Sequence, residues 1–90
     1  MRTALRLYIT GLVHGVRFRA TMSEVARLHN VSGWVRNVLD GSVEAFLEGE
    51  DEDVRAVLEW AKSGPPRARV DSIKVEKTSP RNHRGFVVTG

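Results

Sequence analysis

Residues 11–19 read Gly11-Leu12-Val13-His14-Gly15-Val16-Arg17-Phe18-Arg19, and they separate two segments of different periodicity. Before them, from Ala4 onward, apolar and polar residues alternate, which is typical of a half-buried strand. After them, apolar residues recur every three or four positions, which is typical of a helix packed on one side. The two glycines of this stretch therefore mark a turn from a strand into a helix.

The predicted helix begins without the groups that normally stabilise a helix N-terminus. No Ser, Thr, Asp or Asn occupies the N-cap position, and the first turn contains no acidic residue. Instead, Arg17 and Arg19 lie where the helix dipole is already positive, which costs about 0.3–1 kcal/mol per charge. Unpaired backbone N–H groups beside two guanidinium groups can bind an anion. We interpret residues 11–19 as a phosphate site.

The composition restricts the classes of protein to which the chain can belong. Its 90 residues, 41% of them hydrophobic, suffice for one small domain, which we expect to span residues 1–90. Cysteine is absent, which excludes disulfides, thiol catalysis and thiolate metal sites. The net charge of +3 is too small to indicate nucleic-acid binding by itself. No segment has the pattern of a signal peptide or a membrane span, so we expect a cytoplasmic monomer without membrane contact.

The whole sequence predicts five strands and two helices in a fixed order. Between the second and third strands, Asp40-Gly41 favours a two-residue hairpin turn, because both residues tolerate positive φ. Two helices on one face of a mainly antiparallel four- to five-stranded sheet form a ferredoxin-like α/β sandwich, with the first and third strands in the centre. The predicted elements are a strand at 4–13, a helix of about three turns that ends at Asn30 in a left-handed backbone conformation, strands at 31–38 and 42–48, a helix at 50–62, and strands at 70–78 and 86–88.

The two predicted helices differ in the way they begin. The second helix opens with acidic residues at 50–53 and closes with Lys62, as the helix dipole and the capping rules favour. This contrast within one chain indicates that something other than stability shaped the start of the first helix. In the third strand, alternation places Glu44 and Glu48 on the outward side of the sheet. Phe46 falls on that polar side, where we expect it to pack at a sheet edge or against a neighbouring element.

Two motifs of the sequence resemble those of the acylphosphatase family. Residues 11–19 resemble that family's phosphate-binding loop, which ends in its arginine, here Arg19. Residues 33–43, followed by a glycine at 49, resemble the second signature of the family, whose asparagine is here Asn37. Residues 64–70 are similar to the connection that follows the family's second helix, so the resemblance covers nearly the whole chain. One departure is His14, which stands where the family most often has glutamine.

The resemblance implies an enzyme that hydrolyses the carboxyl-phosphate bond of small acyl phosphates to carboxylate and inorganic phosphate. It also implies that no metal or other cofactor takes part, that Asn37 orients the attacking water, and that Arg19 binds the phosphate with the backbone amides of the loop. Since a mixed anhydride releases a carboxylate, which is stable as an anion, positioning and charge neutralisation suffice without a general acid. The loop residues concerned are His14, Gly15, Val16, Arg17, Phe18 and Arg19.

Other interpretations remain open at this point. Ferredoxin-like sheets also form RNA-recognition modules, and residues 84–88 have a basic-Gly-aromatic order, but Tyr8 is the one natural stacking candidate on the first strand. A non-catalytic phosphate-sensing domain would have the same fold. His14 could act as a phosphorylated nucleophile, although no residue at a recognisable spacing would orient it. Arg17 and Arg36 are expected to be rim charges that attract an anionic substrate.

Overall fold

The computed structural model describes residues 1–90 and has the predicted number and order of elements. The helix α1 ends close to Asn30, which has the predicted left-handed backbone conformation, with φ at 58°. The elements are β1 (Arg2–Leu12), α1 (Phe18–Leu28), β2 (Ser32–Asn37), β3 (Val43–Glu50), α2 (Asp51–Ser63), β4 (Arg69–Thr78) and β5 (Phe86–Thr89).

The five strands form one sheet in the order β4-β1-β3-β2-β5, with β1 and β3 central as predicted. The pairs β1–β3, β1–β4 and β2–β3 are antiparallel, whereas β2 and β5 are parallel. The sheet is therefore mixed but mainly antiparallel, and both helices pack against one of its faces. The predicted ferredoxin-like architecture is confirmed.

The hydrophobic core between the sheet and the helices fixes the start of α1. Phe18, the first residue of α1, is 1% exposed and packs among fully buried side chains such as Leu7, Met22 and Val57. Its ring also contacts the indole of Trp60 on α2, with 5.3 Å between ring centroids. Burying a phenylalanine in this way contributes about 1.5–3 kcal/mol. The core thus holds the first turn of α1 against the sheet.

The hairpin turn between β2 and β3 is one residue longer than predicted. The amide of Gly41 donates to the carbonyl of Val38 at 3.0 Å, and the amide of Val38 donates to the carbonyl of Ser42 at 2.8 Å. Residues 39–41 therefore form a three-residue loop in which Gly41 alone needs positive φ, at 94°. Asp40 accepts hydrogen bonds from the hydroxyl and the amide of Ser42, which lower the pKa of its carboxyl. This local bonding favours the longer loop.

Glu44 and Glu48 lie on the outward face of the sheet, as predicted, but they are not exposed to solvent. They are 5% and 0% exposed, and Phe46 between them is 1% exposed. The reason is topological: β4 and β5 lie at opposite edges of the sheet, so the chain that joins them must cross the face opposite the helices. Residues 79–85 make this crossing, and the ring of His83 lies 5.0 Å from that of Phe46. As expected, Phe46 packs against a neighbouring segment.

Glu48 anchors this crossing segment to the sheet. Its carboxylate accepts hydrogen bonds from the backbone amides of Arg81, Asn82 and His83 at 3.0, 3.1 and 2.6 Å, and from Nδ1 of His83. Burial alone raises the pKa of Glu48, but the donors from His83, Asn82 and Arg81 outweigh it and hold the pKa below the usual 4.5. The segment is thus attached through the charged form of one carboxylate.

Replacing Glu48 by glutamine should lower the free energy of unfolding by about 2–3 kcal/mol at pH 7, because an amide cannot satisfy the same set of donors. A lowered pKa in the folded state stabilises the protein above pH 4.5 and ceases to do so as the pH falls through the folded pKa. The difference between Glu48→Gln and the unmodified protein should therefore shrink below pH 4.5 in urea unfolding.

Glu44→Gln is the matched control for this experiment. Glu44 lies on the same strand and face, but it pairs with Arg6 and Arg36, whose side chains are partly exposed and can be hydrated when the pair is lost. The Glu44→Gln substitution should lower the free energy of unfolding less than Glu48→Gln does, because both arginines remain accessible to water. Equal losses in the two variants, or a Glu48→Gln loss that is unchanged at low pH, would contradict the anchoring role.

Candidate active site

The turn between β1 and α1 has the backbone shape of an anion-binding nest. Gly15 and Arg17 both lie in the left-handed region, with φ at 71° and 64°. Arg17 is the N-cap of α1, and its side chain makes no capping hydrogen bond. A residue other than glycine in this region costs roughly 1–2 kcal/mol. Alternation of left- and right-handed residues points successive N–H groups to one side, where they can bind an anion.

The backbone amides at this turn have no acceptor within the protein. None of the amides of residues 14–20 donates to a carbonyl or to a side chain, and the first amide of α1 with a partner is that of Thr21, which donates to the carbonyl of Arg17 at 3.0 Å. The backbone amides that the sequence pattern predicts to be unpaired at the start of α1 therefore have no partner in the fold. A run of free amides at the positive end of a helix dipole is suited to a phosphoryl group.

The start of α2 provides an internal comparison. Its N-cap, Glu50, also makes no side-chain capping bond, so the expectation that α2 follows every capping rule is wrong. The two helices differ in charge instead: Asp51, Glu52 and Asp53 lie in the first turn of α2, and no acidic residue lies in the first turn of α1. The start of α2 is thus neutralised by its own side chains, whereas the start of α1 remains positive.

A cavity of about 200 Å³ lies at the start of α1 and brings together five of the seven predicted site residues. Arg19, on the first turn of α1, and Asn37, the last residue of β2, both line it. No acidic side chain lines it, which suits an anionic ligand. The lining residues are Val13, Gly15, Arg17, Phe18, Arg19, Ala20, Asn37 and Val88.

Three of the predicted residues lie elsewhere. The ring of His14 is directed to the carbonyl of Ser42, at 2.8 Å from Nε2. The side chain of Val16 packs against the hydrophobic core. Because both side chains are engaged elsewhere, His14 and Val16 can contribute to phosphate binding only through their backbone amides. Arg36 does not line the cavity: it binds Glu44 on the opposite face of the sheet at 2.6 Å, because neighbouring residues of a strand alternate in direction. The expectation that Arg36 is a rim charge is therefore wrong.

The end of β5 holds the guanidinium of Arg19 beside the cavity. Nη1 donates to the carbonyl oxygens of Thr89 and Gly90 at 3.3 and 2.7 Å. The parallel pairing of β5 with β2 brings these carbonyls to the site, since Thr89 pairs with Arg36, the neighbour of Asn37. Sequence reasoning missed this part of the site because backbone carbonyls carry no residue-type signal. Their effect is to fix the direction of the guanidinium before any ligand binds.

Two other kinds of feature are absent from the structure. No group of three or more His, Asp or Glu side chains is arranged so that it could hold a metal ion. None of the helices is both long and apolar enough to cross a bilayer. The fold and the cavity together define a class of small ferredoxin-like proteins that present a positive helix start and a guanidinium to an anion.

Comparison with known proteins identifies the family within this class. The family model described as Acylphosphatase matches residues 5–88. An acylphosphatase of Thermococcus kodakarensis is 49% identical over 90 residues, covering 100% of this chain and 97% of that protein. An acylphosphatase of Pyrobaculum islandicum is 55% identical over 71 residues, covering 78% and 75% of the two chains. The crystal structure of acylphosphatase from Bacillus subtilis superposes with a TM-score of 0.94 at 32% identity, covering 100% of both chains. The chain belongs to the acylphosphatase family.

Inorganic phosphate should shift the amide resonances of residues 15–20 in a two-dimensional NMR titration, because those amides have no acceptor within the protein. The first turn of α2 is the matched control, since it also lacks a side-chain cap but carries three carboxylates. Its resonances should stay unchanged. Shifts that are equal at the two helix starts would show that phosphate binds without regard to this turn.

Proposed function

We propose that the protein hydrolyses the carboxyl-phosphate bond of small acyl phosphates, with Arg19, the amides of residues 14–19 and Asn37 as its site. The observation that carries the assignment of residues is the single cavity that Arg19, the free amides and Asn37 share. Membership of the acylphosphatase family supports the reaction. The products are a carboxylate and inorganic phosphate, and no cofactor is required by this chemistry.

In this proposal, Arg19 and the free amides bind the phosphoryl group. Nη1 of Arg19 is occupied by the carbonyls of Thr89 and Gly90, so the other N–H groups of the guanidinium can donate to two phosphoryl oxygens. The amides from His14 to Arg19 bind the remaining oxygens, as backbone nests do for other phosphates. Because these donors are already oriented, they stabilise the charge of the transition state without reorganisation.

Asn37 positions the attacking water. Its amide oxygen can accept a hydrogen bond from the water, and its amide nitrogen can donate to a phosphoryl oxygen. As the water oxygen forms its bond to phosphorus, the bond from phosphorus to the carboxylate oxygen breaks, and the carboxylate leaves without needing a proton. An aspartate at this position would place a negative charge next to an anionic substrate. A neutral amide orients the water without that repulsion.

RNA binding is not favoured by the structure. An RNA-recognition sheet stacks bases on exposed aromatic residues of its central strands. Here Phe46 on β3 is buried beneath residues 79–85, and Tyr8 on β1 has Lys74 near its ring, with Nζ 5.9 Å from the ring centroid. These contacts argue against the stacking of bases on the two central strands. We further propose that the protein acts as a single-domain monomer in the cytoplasm without a nucleic-acid partner.

Arg19→Ala should lower kcat/KM for benzoyl phosphate roughly 10³-fold, because it removes the cation that neutralises the transferred group. The affinity for inorganic phosphate should fall about 10–100-fold, as expected for the loss of hydrogen bonds to a charged ligand. Phosphate release and calorimetric binding measure the two effects. Arg55→Ala is the control, since Arg55 lies on α2 and pairs only with Asp51. A loss of the same size in both variants would refute a specific role for Arg19.

Asn37→Ala should lower kcat roughly 10²–10³-fold, by comparison with the removal of one preoriented donor from other active sites. Its affinity for inorganic phosphate should stay within about threefold, because Arg19 and the backbone amides remain. Turnover of benzoyl phosphate and calorimetry with phosphate test this. Added chelator should not change the turnover of the unmodified protein or of the variant. Normal turnover in this variant would eliminate the water-positioning role.

A further inference from the structure

We infer that His14 is a positioning residue whose side chain sets the spacing between the phosphate-binding turn and Asn37. This inference rests on the proposed function. Nε2 of His14 donates a hydrogen bond to the carbonyl oxygen of Ser42 at 2.8 Å. His14 lies in the turn that leads into α1, and Ser42 ends the hairpin turn that follows Asn37. The bond therefore joins the two segments that the proposed reaction must hold together.

The sheet itself does not make this connection. β1 and β2 are not neighbours, because β3 lies between them. The β1–β3 ladder ends at the pair Ile9–Val43, and the β2–β3 ladder ends at the pair Asn37–Val43. Beyond Val43, β1 pairs only with β4, as far as Leu12, and the phosphate-binding turn begins after that residue. The hydrogen bond of His14 is the one that links residues 13–17 to residues 38–42.

The carbonyl of Ser42 also connects His14 to the backbone next to Asn37. The same oxygen also accepts from the backbone amide of Val38, at 2.8 Å, and Val38 directly follows Asn37. Asp40 holds Ser42 in place through its amide and its hydroxyl, at 2.9 and 2.6 Å. Two hydrogen bonds on one oxygen therefore run from His14 to the residue next to Asn37. A shift of the hairpin turn by a fraction of an ångström would move the side-chain amide of Asn37 relative to the backbone amides of residues 14–19.

The side chain of residue 14 must donate a hydrogen bond to the carbonyl oxygen of Ser42. Since the partner is a carbonyl, Nε2 of His14 must carry a hydrogen, which both the neutral Nε2–H tautomer and the imidazolium do. A glutamine side chain could donate to the same oxygen, whereas it could not act as a phosphorylated nucleophile. The glutamine variant thus separates a positioning role from a chemical one.

The test compares three variants of the full chain by steady-state kinetics with benzoyl phosphate and by calorimetry with inorganic phosphate. His14→Ala should lower kcat about 10–100-fold, which is the size of effect that a small misplacement of a catalytic group produces. The affinity for phosphate should stay within about threefold. His14→Gln should keep kcat within about threefold of the unmodified protein. His14→Leu, which fills similar space without a donor, should behave like His14→Ala.

A double-variant cycle separates positioning of Asn37 from any independent effect. In an Asn37→Ala background, His14→Ala should lower the remaining kcat less than about twofold, because there is no amide left to misplace. Losses that multiply, or a glutamine variant as slow as the alanine one, would overturn the inference while leaving the proposed function intact. Absence of turnover in the unmodified protein would instead overturn the proposed function itself.

Discussion

The register of β3 against its two neighbours is the constraint on which the site depends. Val43 pairs with Ile9 on one side and with Asn37 on the other, so β1 and β2 reach the same level of the sheet. The register therefore brings the turn into α1 and Asn37 to the same end of the sheet. A slip of one residue between β2 and β3 would exchange the faces of Asn37 and Arg36. The amide would then point away from α1 and an arginine would take its place.

The first turn of α1 is costly for the fold, and the surrounding structure compensates for that cost. Arg17 occupies a left-handed conformation, and the amides of residues 14–20 have no acceptor in the protein. The rest of the helix is held by its buried side, where Phe18 and Met22 pack beneath the sheet. Local strain of this kind persists where the neighbouring structure determines the conformation, and it concentrates at functional sites. The acidic start of α2, in the same chain, shows the arrangement that stability alone favours.

The sequence was informative for most features that depend on neighbouring residues, although the hairpin turn is one residue longer than predicted. The element order, the left-handed Asn30 and the lack of a side-chain cap on α1 all follow from local periodicity or from residue type, and the structure agrees with them. Features that depend on distant contacts could not be predicted in this way. Alternation gave Glu48 an outward direction, but it could not show that residues 81–83 would cover it. The carbonyls that hold Arg19 belong to residues 89 and 90, and a backbone acceptor has no signature in the sequence.

Because the sheet is open, β4 and β5 each leave one row of backbone groups unpaired, and such rows can recruit strands from other molecules. The two edges are unequal in this respect. β5 spans only Phe86–Thr89, whereas β4 runs over Arg69–Thr78. Along β4, the exposed residues Lys74, Glu76 and Lys77 place charges of both signs on the longer edge. A second chain that docked along β4 would bury those charges, which disfavours pairing between molecules at this longer edge.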